Sequence, residues 1–200
     1  MIAALFVQRI GCYWDLPGVD PWDEQRDAKL YNGPWPVVAH PPCERWGRYW
    51  YGGQSAKVRR KLGDDGGCFE SALASVRRWG GVLEHPETSY AWGRFGIPAP
   101  NRNGGWQRTL CGGWTCCVEQ GSYGHPARKA TWLYMHGCDP IPLRWGPSDP
   151  PIPPGRSEAW KARAAKDGVC VLLSRKQRAA TPIEFRDLLI SIARTAKPRT

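Results

Sequence analysis

Apolar positions along the chain fall into short runs separated by turn signals, and twice into a helical stripe. Ala3–Val7 and Pro36–His40 are short apolar runs, the second ended by Pro41-Pro42, and each reads as a buried strand. Asp23–Tyr31 is polar and predicts a short helix. In Cys68–Trp79 the residues Phe69, Ala72, Leu73, Val76 and Trp79 recur at helical spacing. Gly80-Gly81 follows and suits a left-handed helix cap. Val82-Leu83 is a short strand stopped at Glu84-His85-Pro86, and Phe95–Trp106 is a Gly/Pro/Asn-rich loop. Trp114–Glu119 and Thr131–Met135 are the next strands. Thr181, Pro182 and Glu184 form the pattern of a capping box. They open a last helix whose stripe is Phe185, Leu188, Leu189 and Ile192.

Strands alternating with helices predict an α/β fold, Rossmann-like, with a mostly parallel sheet flanked by helices. In such sheets sites lie at the carboxyl ends of the strands. Pro41-Pro42-Cys43, Glu84-His85-Pro86 and Gly121–Lys129 each follow a strand, so a thiol, a carboxylate and a basic loop are expected at one edge. The chain divides into an α/β core over 1–139, a linker or surface wrap over 140–154 with seven prolines, and a basic segment with a helix over 155–200.

Composition sharpens this picture. The net charge of +10 is uneven: 151–200 holds 11 Lys/Arg against 4 Asp/Glu. A gathered basic excess points to a polyanion, with nucleic acid the first candidate and a solvated tail the plain alternative. Arg156, Lys161, Arg163, Lys166, Arg175, Lys176 and Arg178 supply phosphate-contact candidates. The 12 Trp residues can fill a core or stack on bases. The eight cysteines form no CxxC pair, and no leader or bilayer-length apolar run is evident. A reducing cytoplasm with most thiols buried is the expectation, and Cys111 to Cys138 fit zinc spacing poorly.

Each candidate also has a plain reading: Cys43 as a buried thiol in a turn, Glu84 as a surface cap, Arg128 and Lys129 as a solvated loop. Taken in order, however, Pro-Pro-Cys, the Glu turn and Tyr123-Gly124-His125-Pro126 with its basic followers resemble the DNA cytosine-5 methyltransferases. The resemblance covers roughly residues 36–135, with 41 residues from Cys43 to Glu84 and 39 from Glu84 to Tyr123. It implies that Cys43 is a nucleophile adding to ring carbon 6, and that Glu84, with a raised pKa, is the acid at the ring nitrogen. It implies substrate contacts at Pro42, Arg45, Trp46, His85, Tyr123, His125, Arg128 and Lys129, and S-adenosyl-L-methionine as donor near Phe6, Gly11, Asp20 and Asp23.

The departures are specific. The family's Pro-Pro-Cys-Gln-x-Phe-Ser reads Pro41-Pro42-Cys43-Glu44-Arg45-Trp46-Gly47, and its Glu-Asn-Val reads Glu84-His85-Pro86. In the third motif Ala127, Lys129 and Thr131 stand for Gln, Arg and Arg. The glycine-rich donor loop is replaced by Phe6-Val7-Gln8-Arg9-Ile10-Gly11, only 37 residues before Cys43, and no separate target-recognition domain fits. The implied protein is a compact, divergent relative of a phage type. Methylenetetrahydrofolate as donor, a non-catalytic DNA-binding relative, and an enzyme acting on free nucleotides are the alternatives.

Overall fold

The computed structural model describes residues 1–53, 57–149, 154–167 and 172–197. Seven strands form one mixed sheet: β1 (Ile2–Leu5), β2 (Val19–Trp22), β3 (Val37–Ala39), β4 (Gly81–Pro86), β5 (Gln107–Arg108), β6 (Trp114–Glu119) and β7 (Ala130–His136). Their order is β2-β1-β3-β4-β7-β6-β5. The first four are mutually parallel. The β4–β7, β7–β6 and β6–β5 pairs are antiparallel. The sheet is therefore parallel over one half only, which corrects the mostly parallel expectation. The cause lies in the connections. Between β6 and β7 there is a single 3-10 turn, Gln120–Tyr123, and no helix to carry a parallel crossover.

The helices are α1 (Cys68–Trp79), α2 (Tyr90–Arg94), α3 (Glu158–Asp167), α4 (Arg175–Ala179) and α5 (Ile183–Arg194). One face of the sheet packs Leu5, Val37 and Leu83 against Phe69, Leu73 and Val76 of α1 and against Trp92. The other packs Ile2, Val38, Val82 and Leu133 against Phe185, Leu189 and Ile192 of α5. With both faces covered, the central strands read as apolar runs rather than alternations. Gly81 has φ +126°, and a Cβ there would stand 1.9 Å from the Val37 carbonyl oxygen. Any side chain at that position would break the β3–β4 pairing.

Three local expectations differ from what forms. Asp23–Tyr31 is a run of turns ending in a 3-10 turn over Ala28–Leu30, because it has no apolar stripe to bury. There the Asp23 carboxylate accepts from the Arg26 amide at 3.0 Å. The α5 N-cap is Pro182 with ψ 148°, not Thr181, and no side chain bonds to it. The strand expected over Val82-Leu83 runs on through Glu84 and His85, since β7 pairs with both. Residues 140–149 wrap the surface: Ile141 accepts from the Trp106 indole at 2.8 Å, and the Ser148 amide donates to Glu119 at 2.7 Å. Residues 150–153 of that segment, and Cys170, lie outside the described residues. Among the described residues no helix is long and apolar enough to cross a membrane.

Candidate active site

Because β6 is antiparallel to β7 and β7 to β4, β6 runs in the direction of β4. The carboxyl ends of β1, β3, β4 and β6 therefore lie at one edge of the sheet. That edge carries Cys43 just beyond β3, Glu84 within the end of β4, and Lys129 on the loop before β7. Their charges act on one another. Burial pushes the Cys43 thiol above its ordinary value, and the Glu84 charge adds to this, while Lys129 pulls it down. The residue as a whole is nevertheless exposed, and its thiol is free.

Burial also pushes the Glu84 carboxyl up, but the hydrogen bond and charge of His40, then the charge of Lys129, lower it by more. Glu84 thus rests ionised, which corrects the expectation of a raised pKa. The cause is a residue missed in the sequence: His40 Nδ1 lies 2.9 Å from Glu84 Oε1. On its far side, His40 Nε2 lies 2.8 Å from the Tyr13 hydroxyl. Burial holds the Tyr13 phenol well above its ordinary range, so it stays protonated. The ionised carboxylate accepts, so His40 donates to it from Nδ1, while Nε2 and the Tyr13 hydroxyl share the second hydrogen bond. The result is a half-buried hydrogen-bonded chain from Tyr13 through His40 to Glu84. The signal available was His40 at the end of an apolar run, one residue before Pro41-Pro42-Cys43. Nothing in spacing ties Tyr13 to it.

His85 points to the opposite face from Glu84, against the rings of Phe69 and Trp92. Its Nδ1 bonds the Ser89 hydroxyl at 2.7 Å, and burial lowers its pKa from 6.5 to about 4. The sign follows from linkage. The unfolded chain binds a proton near pH 6.5 and the folded chain only near 4, so stability present above pH 6.5 is lost on acidification through that window. The expected loss is about 3 kcal/mol. Denaturant unfolding of wild type and His85→Phe from pH 7.5 to 4.5 checks it. The variant should lose most of the pH slope, with a residue left by His125, which burial also lowers. An unchanged slope would contradict the assignment.

A cavity of ≈ 1050 Å³ opens beside this edge. Its walls include Phe6, Arg9, Asp23, Asp27, Lys29 and Pro42. It lies where the strand order reverses, since β2 is laid down on one side of β1 and β3 on the other. Such switch points are where open α/β sheets bind ligands. The loop after β1 has no Gly-x-Gly pattern but still makes left-handed turns, at Phe6 (φ 59°) and Ile10 (φ 58°). Asp20 is outside the walls and is held by Arg26 at 2.6 Å and the Trp22 indole at 2.8 Å. Gly11, also outside them, donates its amide to the Gln8 carbonyl at 3.0 Å.

The remaining candidates are placed as follows. Trp46 is buried, donating to Asp65 at 2.8 Å and packing on Phe69. Arg45 is half-buried and donates to the Trp50 carbonyl. Tyr123 is buried on Phe185, and its hydroxyl accepts from the Arg144 amide. His125 is buried and braces its own turn through Ala127. Arg128 donates to the Ser148 carbonyl. Lys129 has φ 34° and donates to the Ala180 carbonyl at 3.1 Å, which ties the end of α4 to the site loop. Lys176 and Arg178 are exposed on α4, and the Arg175 side chain lies outside the described residues. No protein-family model matches the chain, and neither a curated protein nor a solved structure matches it.

Proposed function

We propose that this protein transfers a one-carbon group to carbon 5 of a pyrimidine, cytosine above all, in DNA through a covalent Cys43–base adduct. The observation that carries this reading is the meeting of Cys43, Glu84 and Lys129 at one sheet edge, beside a switch-point cavity. The Cys43 thiolate forms a bond to ring carbon 6, and the electron pair displaced from the 5,6 double bond moves toward the ring nitrogen. Glu84, held by His40, takes up the proton that Cys43 gives up on becoming the thiolate and hands it to that nitrogen, so charge does not build up there. Carbon 5, now enamine-like, takes the one-carbon group. Loss of its proton to solvent then expels the thiolate, and the ring nitrogen returns its proton to Glu84, which restores the ring. The target base must leave its stack to reach the thiol.

The cavity walls favour one donor. Asp23, Glu24, Asp27 and Asp65 outnumber Arg9 and Lys29 there. An acidic lining suits a cationic, hydroxyl-bearing donor such as S-adenosyl-L-methionine and disfavours the anionic tail of methylenetetrahydrofolate. Asp23, Asp27 and Glu24 would face its hydroxyls and amine, and it would supply an electrophilic methyl group. Mass analysis of nucleosides from DNA incubated with the protein and each donor in turn tests the reading. A new 5-substituted cytosine with the sulfonium donor is expected, and unchanged nucleosides with every donor would overturn it.

The basic segment supplies phosphate contacts, and the Lys129–Ala180 bond brings α4 to the site loop. Replacing Arg175, Lys176 and Arg178 by alanine should weaken DNA binding for all sequences alike. It should flatten the plot of log affinity against log salt by about 0.9 per lost contact on duplex and about 0.7 on a single strand. An unchanged slope at low salt would make this segment a solvated face and favour free-nucleotide chemistry.

A further inference from the structure

Immediately after Cys43 the chain leaves the core and carries a concentration of rings and cations that the chemistry above does not use. Residues 44–62 hold Arg45, Arg48, Lys57, Arg59, Arg60 and Lys61 against one carboxylate, Glu44. Trp46 anchors the segment in the core, and its carbonyl accepts from the Tyr90 amide. The segment returns through the Gly63 amide to the Arg45 carbonyl at 2.9 Å. Between these anchors the turn is fixed by the Trp50 amide on the Gly47 carbonyl and by Arg45 on the Trp50 carbonyl. This holds Tyr49, Trp50 and Tyr51 outside the core. The Trp50 and Tyr51 rings meet at 5.6 Å, and Tyr49 and Tyr51 at 6.5 Å, each edge to face. Tyr49 is 62% exposed, with the Arg48 guanidinium 5.6 Å from its ring centre.

Rings kept out of the core, packed on one another and flanked by cations, have faces to offer and a field that attracts phosphate. Unpaired bases present the matching faces. Paired bases in a duplex do not, because their faces are already stacked. We propose that Arg45–Tyr51, with Arg59 and Arg60, is a stacking platform for an unpaired DNA strand, and that single-stranded DNA is the form this chain grips. The proposal deepens the reading above and rests on it for the identity of the reacting base. It explains how a base reaches Cys43 without a step that opens a duplex: the strand arrives already open.

The test is fluorescence anisotropy of a labelled pyrimidine-rich 15-mer, alone and annealed to its complement, with Cys43→Ser protein and no donor. Single-stranded DNA should bind at least tenfold tighter than duplex. The triple variant Tyr49→Ala, Trp50→Ala, Tyr51→Ala should lose about 10- to 100-fold on the single strand, on the scale of stacking contacts. Its duplex affinity should stay within about twofold, which also shows that it folds. The triple phenylalanine variant, which keeps the rings, should retain the preference. Equal affinity for both forms, or alanine losses that are absent or equal on both, would overturn the platform. Because no turnover is read, a platform confirmed without any base modification would sink the chemistry alone. Modified DNA without a single-strand preference would sink the platform alone.

Discussion

Replacing Cys43 with serine is expected to reduce base modification by at least about 10⁴-fold while leaving the fold and DNA affinity near wild type. The nucleophile's role cannot be shared, since a serine hydroxyl at neutral pH is a far poorer adding group than a thiolate. The change is nearly isosteric and falls on an exposed residue beyond β3, so no packing is lost. Steady-state methyl incorporation into DNA checks it, with thermal unfolding as the control for structure. Turnover within tenfold of wild type would remove the covalent adduct from the mechanism.

The second large effect concerns Glu84, and its signature is two changes of opposite sign. The Glu84 charge raises the Cys43 thiol, so neutral Gln should lower the thiol pKa and speed alkylation by iodoacetamide at pH 7.5 several-fold. Turnover should nevertheless fall by about 10²–10⁴, the scale of general acid catalysis, because no carboxylate then carries the proton to the ring nitrogen. Lys129→Met should act the other way on the thiol, since Lys129 lowers it, and slow alkylation. A carboxylate that only braced the strand end would leave Cys43 reactivity unchanged or change it together with turnover. Either result would reassign Glu84 to structure.

The sequence carried the site in part. Cys43 and Glu84 were legible because each ends an apolar run at a proline turn, and runs of that kind end at the ligand edge of an α/β sheet. α1 was legible to the residue, since its stripe and the following glycines agree. The protonation of Glu84 was not legible. It depends on His40, 44 residues away in the chain and brought to 2.9 Å only by the β3–β4 pairing. Tyr13 was hidden for the same reason. The half-parallel sheet was also hidden, because β6 and β7 carry the same apolar pattern whichever way they run. α4 did leave a signal: Ser174 and Gln177 form its capping box. It was masked by the charge of the segment, which drew attention to phosphate rather than to helix. The loop after β1 was legible only as a departure. The glycine pattern of the resembled family is missing there, and the structure shows Phe6 and Ile10 in left-handed conformations and Phe6 and Arg9 walling a cavity of ≈ 1050 Å³.

The central claim is a covalent bond between Cys43 and a pyrimidine, and trapping tests it most directly. An oligonucleotide with 5-fluorocytosine at a single position is incubated with the protein and S-adenosyl-L-methionine, and the digested product is mapped by mass spectrometry. Fluorine at carbon 5 cannot leave as a cation, so the step that would expel the thiolate is blocked and the adduct accumulates. The expected product is a peptide containing Cys43 that carries the methylated fluorocytosine nucleotide, absent from Cys43→Ser and suppressed in Glu84→Gln. Methylated DNA with no adduct at Cys43, or an adduct at another cysteine, would contradict the account.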